Sequence, residues 1–126
     1  MRTQVGIIGA GPAGLMLARL LHLQGIESII IENRSRDYIE NRIRAGLIEH
    51  WAADFLVDVG VGSRMQREGM LHWGINVGIN GDLHRLDFKK LVNKRVTIYG
   101  QQEVVKDLVE RRISDGAPLL FQVDDV

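Results

Sequence analysis

The apolar run Gln4 to Ile8 breaks at Gly9-Ala10-Gly11-Pro12-Ala13-Gly14, and apolar residues resume in Leu15, Leu17, Ala18, Leu20 and Leu21. No other feature constrains this chain so tightly. Gly9 permits a tight turn, Gly11 lets a diphosphate approach bare backbone, and Gly14 lets the following helix lie close to a sheet. Pro12 falls at the first helical position, where its missing N–H costs nothing. Gly25 supplies the helix stop, and Ser28 to Ile31 reads as a second apolar strand. The result is a strand–helix–strand unit with parallel strands. Its helix start offers unpaired amides and partial positive charge to phosphates.

Glu32 ends the second strand, 18 residues past Gly14. A carboxylate there can accept hydrogen bonds from both hydroxyls of an adenosine ribose. Its charge disfavours a 2′-phosphate, so the cleft suits FAD or NAD rather than NADP. Physics alone leaves FAD and NAD both open.

Beyond this unit, residues 33–44 read as a polar connection with a basic bias: Arg34, Arg36, Arg42 and Arg44 against Asp37 and Glu40. Leu47, Ile48, Trp51, Phe55, Leu56 and Val59 recur at helical spacing, and Gly60 closes that helix. Trp73, Ile75, Val77 and Ile79 alternate as in a strand, and Asn80-Gly81 is a two-residue hairpin turn. That turn sets Ile75 opposite Leu86 and Trp73 opposite Phe88. Val104 to Ile113 marks another helix, ending at Gly116, and Leu119 to Val123 a last strand. The fold class is therefore α/β: a Rossmann-like parallel βαβ domain with an inserted antiparallel hairpin, incomplete at its C-terminus.

Basic and acidic residues balance at 16 each, which argues against non-specific nucleic-acid binding. With no cysteine, disulfides, thiolate zinc sites and iron–sulfur clusters are excluded. His22, His50, His72 and His84 do not form a metal-ligand spacing, so no metal is expected. No apolar run is long enough to span a bilayer. Arg19 and His22 interrupt the N-terminal apolar stretch, so a secretory signal is not the reading and the cytoplasm is the default location.

Gln4 to Leu15 resembles the opening of the flavoprotein aromatic hydroxylases. Asp37-Tyr38, Arg42-Ile43-Arg44-Ala45-Gly46-Leu47-Ile48-Glu49, Arg67-Glu68-Gly69-Met70-Leu71-His72 and Tyr99-Gly100-Gln101 resemble the members of that family that act on 4-hydroxybenzoate. The similarity runs the full length of the chain. It implies bound FAD, with Gly9, Gly11, Ala13 and Gly14 against the pyrophosphate and Glu32 on the adenosine ribose. It further implies that Arg42, Ile43, Arg44, Ala45, Gly46 and Leu47 line the flavin cleft, with Arg44 near the pyrophosphate, and that Gln101 touches the cofactor. Arg34, Tyr38, Arg42 and Arg44 fall in the region implicated in NADPH recognition. Asn33 stands where the family pattern often carries a basic residue, which leaves NADPH or NADH open as reductant. His72 matches a histidine of the family's proton path.

Apart from that resemblance, Arg42 and Arg44 read as a solvated loop, Gln101 as a polar residue near a helix start, and His72 as an isolated histidine. The implied activity is an NAD(P)H-consuming monooxygenase that uses O2 to hydroxylate a phenolic acid such as 4-hydroxybenzoate to 3,4-dihydroxybenzoate. A homodimer is implied as well. Residues 1–126 would then be the N-terminal part of an FAD-binding domain. The remaining FAD-binding segments and the substrate domain would follow, and the 126 residues alone would be inactive. Two other readings compete: an NAD-binding dehydrogenase domain and a non-catalytic nucleotide-binding module. The first shares the glycines and Glu32 but leaves residues 42–48 and the hairpin unaccounted for.

Overall fold

The computed structural model describes residues 2–124. β1 (Val5–Ile8), α1 (Pro12–Leu23) and β2 (Ser28–Ile31) form the expected unit. β8 (Leu119–Leu120) joins the far edge of β2, and all three strands are parallel in the order β1-β2-β8. The final strand is shorter than Leu119 to Val123, because Gln122 turns to φ +57. α1 packs against α6 (Gln101–Ser114), and Leu15, Ile30 and Val109 are the largest fully buried side chains between them and the sheet. Alternation along β1 buries Ile7 and leaves Ile8 78% exposed.

A second sheet holds β3 (Leu47–Glu49), β7 (Val96–Ile98) and β4 (Met70–His72), with β7 central and antiparallel to both neighbours. The hairpin forms as read: β5 (Gly74–Ile79) pairs with β6 (Asp82–Asp87), setting Ile75 opposite Leu86. Asn80 and Gly81 take φ +51 and +90, the positive values a tight hairpin turn needs. The Phe88 N–H donates to the Trp73 carbonyl at 2.9 Å, which carries the same register into α5 (Phe88–Val92).

Three sequence readings need correction. Residues 33–44 are not all connection, since α2 (Arg36–Asn41) forms there. Ser35 Oγ caps it by accepting from the Tyr38 N–H at 3.2 Å, and Arg36 pairs with Glu40 one turn on at 2.6 Å. The helix expected from Leu47 begins only at α3 (His50–Asp58), because Leu47 to Glu49 pair with β7 instead. Trp51 and Phe55 then face outward, while Ala53, Leu56 and Val59 face the core. α4 (Ser63–Glu68), β4, α5 and β7 have no counterpart in the sequence reading.

Arg19, an apparent interruption, is buried. Its Nε donates to the Val59 carbonyl at 2.8 Å and its Nη1 to Asp115 Oδ2 at 2.9 Å. It ties α1 to the ends of α3 and α6. Among the described residues, no helix is long and apolar enough to cross a membrane.

Candidate functional site

The carboxyl ends of β1 and β2 open onto a cleft of about 640 Å³. Open parallel sheets place their ligands at this end. The glycine turn forms its floor. Gly9 sits at φ +102, where a side chain would be strained, and its N–H donates to the Ile31 carbonyl at 2.7 Å. A methyl group on Gly14 would run into the Gly9 carbonyl oxygen, so α1 can lie against the turn only with glycine there. A methyl group on Gly11 would meet nothing within 4 Å, so the space in front of this backbone is open.

Glu32 is 9% exposed, and both of its oxygens are engaged. Oε2 accepts from the Ala10 N–H and Oε1 from the Arg34 N–H, each at 2.8 Å. The carboxylate is therefore fixed beside the turn, with lone pairs left for a ligand.

Two helices begin at this cleft. Gly11 caps α1 and Gly100 caps α6, neither with a side-chain acceptor. Pro12 and Gln101, their first residues, both line the cleft. Helix starts carry partial positive charge and free amides. Arg34, Arg42 and Arg44 add three guanidinium groups to the same walls. Tyr38 stacks with two of them, its ring centroid lying 5.4 Å from the Arg34 guanidinium and 5.8 Å from that of Arg42. The result is a concave, net positive surface that matches an anionic bridge.

A second hollow of about 620 Å³ shares Pro12 and Gln101 with the first. Ala13, Met16, Ala45, Leu47, Trp51 and Phe55 give it mainly apolar walls. A polar recess adjoining an apolar one suits a molecule with a diphosphate at one end and a flat, largely apolar ring at the other.

The structure thus brings most expected residues together. Gly11, Glu32, Arg34, Tyr38, Arg42, Arg44 and Gln101 line the first recess. Ala13, Ala45 and Leu47 line the second. Gly9 and Gly14 build the turn beneath, and Gly46 packs against Gly100 without lining either recess. Ile43 is 83% exposed and also lines neither recess. His72 is exposed on β4, paired with Val96 and apart from both recesses.

Asn33 lines the first recess too, and so do Ile39, Gln102 and Val105, which the sequence had not marked as site residues. Val105 follows Gln101 by four positions, so helical spacing from Gln101 was the available signal for it. The Gln102 Oε1 is buried and has no partner.

Fold and cleft together define an α/β dinucleotide-binding domain. The FAD binding domain family matches residues 2–125, and the chain belongs to that family. FAD is its cofactor. The p-hydroxybenzoate hydroxylase of Acinetobacter baylyi is 45% identical over 127 aligned residues, covering 100% of this chain and 31% of that protein. A Mycobacterium 3-(3-hydroxy-phenyl)propionate/3-hydroxycinnamic acid hydroxylase is 54% identical over 33 residues, 26% of this chain and 6% of that protein. The chain thus spans about a third or less of these relatives. Among solved structures, the OxyS anhydrotetracycline hydroxylase of Streptomyces rimosus aligns with a TM-score of 0.79 at 27% identity, over 97% of this chain and 25% of that one. PqsL of Pseudomonas aeruginosa, a probable FAD-dependent monooxygenase, aligns with a TM-score of 0.82 over 95% of this chain and 33% of that one. At 20% identity it bears on the fold alone.

Proposed function

We propose that residues 1–126 are the N-terminal part of the FAD-binding domain of an NAD(P)H-consuming, cytoplasmic monooxygenase that hydroxylates a phenolic acid. The favoured substrate is 4-hydroxybenzoate, with 3,4-dihydroxybenzoate as product. The observation that carries this reading is the fixed Glu32 carboxylate beside an open glycine turn, in the recess where two helix starts and Arg44 converge. The identity to p-hydroxybenzoate hydroxylase across the whole chain supports the substrate class.

In this reading the amides of Gly11, Ala13 and Gly14 and the Arg44 guanidinium hold the diphosphate. Glu32 holds the adenosine ribose, and Gln101 meets the cofactor where the two recesses join. Ala13, Ala45 and Leu47 lie on the flavin side. FAD, when bound, supplies electron transfer from the nicotinamide and activation of O2. The chain's own residues bind it, orient it and keep water from its ring. Arg34, Tyr38 and Arg42 form the surface that receives NADPH or NADH. His72 serves as an outer proton carrier in a homodimeric enzyme, since one imidazole nitrogen can accept a proton while the other donates one. Segments outside these residues complete the cleft, so the 126 residues alone hold FAD weakly and do not hydroxylate.

The test is to supply the complete protein with FAD, O2, 4-hydroxybenzoate and either reduced nicotinamide, and to separate the products by chromatography. Formation of 3,4-dihydroxybenzoate in step with nicotinamide oxidation is expected, and Arg44→Ala should weaken FAD retention. Nicotinamide oxidation without hydroxylation of any phenolic acid would overturn the reading.

A further inference from the structure

Two stretches of backbone meet behind the cleft. A methyl group on Gly46 would lie 2.9 Å from the Gly100 Cα, so these segments touch directly. Tyr99 joins them. Its N–H donates to the Gly46 carbonyl at 2.7 Å, its side chain is 6% exposed, and its hydroxyl donates to Asp107 Oδ2 at 2.7 Å. The other Asp107 oxygen accepts from Arg64 Nε at 2.7 Å. Arg64 also donates to the Glu103 side chain at 2.6 Å and to its carbonyl at 3.0 Å, and its guanidinium lies 5.4 Å from the Tyr99 ring centroid.

Tyr99, Asp107, Arg64 and Glu103 line neither recess. Their influence on a ligand must pass through the backbone they hold. Gln101, two residues after Tyr99, lines both recesses, and Ala45 and Leu47 flank Gly46 on the apolar one. Burial and the bond to Asp107 push the Tyr99 hydroxyl well above the ordinary tyrosine range, so it stays a donor at any physiological pH. Burial works against charge on Arg64, but its bonds to Asp107 and Glu103 prevail and raise its pKa.

We infer that Tyr99, clamped by Asp107 and Arg64, is a positioning residue that sets the spacing between the Ala45–Leu47 wall and the Gln101 helix start, and thereby tunes FAD binding. This rests on the cofactor reading above. Tyr99 touches no ligand itself. Its hydroxyl matters because a charge-assisted bond to Asp107 fixes the ring, and the ring fixes the two backbones.

The test compares the complete wild-type protein with its Tyr99→Phe variant by FAD titration and by amide hydrogen exchange. Loss of one charge-assisted bond predicts roughly tenfold weaker FAD binding. It also predicts faster exchange confined to residues 45–47 and 99–101, with the hairpin at residues 74–87 unchanged. Asp107→Asn removes the charge and sets an amide NH2 against the Tyr99 hydroxyl or Arg64, so it should show a loss at least as large, and it carries the test if Tyr99→Phe does not fold. Wild-type FAD affinity in Tyr99→Phe, or exchange that rises equally in the hairpin, would overturn the inference. Should the complete wild-type protein take up no FAD at all, the cofactor reading falls separately. The clamp is then judged by exchange alone, and unchanged rates at residues 45–47 and 99–101 would sink it.

Discussion

The Ala10 backbone N–H donates to Glu32 Oε2 at 2.8 Å, joining the glycine turn after β1 to the end of β2 across 22 residues of chain. The same carboxylate accepts from the Arg34 N–H, so one side chain sets both the turn and the start of the basic segment. Glu32→Gln keeps the shape but turns one acceptor into a donor, facing an amide that is itself a donor. FAD affinity is expected to fall roughly ten- to a hundredfold, the worth of one charge-assisted bond. Flavin fluorescence titration reads this, and unchanged affinity would remove Glu32 from the site.

Gly14 tests the close packing of α1. In Gly14→Ala the new methyl group meets the Gly9 carbonyl oxygen, so helix and turn must separate. Overpacking of this kind costs about 1–3 kcal/mol. Urea unfolding should show that loss together with weaker FAD binding. Wild-type stability would mean that the turn has room the structure does not give it.

The glycine turn, the parallel strand pair and the hairpin were legible because their constraints are local. Gly9, Gly81 and Asn80 each announce a positive φ, and the apolar runs beside them carry a clear period. The second sheet was not legible, because β3, β4 and β7 are three residues each, too short to display a period of two. Leu47 and Ile48 fit a helical pattern as well as a strand, and only pairing with Ile98 and Thr97 decided between them. Arg64 was invisible for another reason. Its partners Glu103 and Asp107 lie 39 and 43 residues away, a distance at which charge patterns in sequence carry no signal. Within the cleft, Glu32 and the glycines followed from the motif, whereas Arg44 and Gln101 needed the family resemblance to be told from solvated polar residues.

Glu103 predicts an acid-dependent loss of stability. Hydrogen bonds from Lys106 and then Arg64 hold its carboxyl below the ordinary 4.5. A carboxylate depressed in the folded state contributes stability that is present above that ordinary value and lost as pH falls through the folded one. Urea midpoints measured downward from neutral pH should therefore drop below pH 4.5, and Glu103→Gln should flatten that acid limb. Parallel acid limbs in both proteins would show that the contacts of Glu103 do not matter to folding.

Arg19 is the structural counterweight, remote from the cleft. Arg19→Met strands the Val59 carbonyl and removes one partner of Asp115, which keeps Arg111 at 3.0 Å. Breaking a buried pair from one side costs about 3 kcal/mol. Unfolding should register that loss, while the molecules that remain folded keep their FAD affinity. An affinity loss as large as that of Glu32→Gln would mean that the two ends of α1 are coupled.

The central claim is that a dinucleotide lays its phosphates on the turn between β1 and α1. Residue-resolved amide NMR shifts during titration of the chain with FAD test it most directly. The account predicts the largest shifts at Gly9, Ala10, Gly11, Ala13, Gly14 and Leu15, with further shifts at Glu32, Arg44 and Gln101. Shifts confined to the hairpin, or an undisturbed turn at saturating FAD, would contradict it.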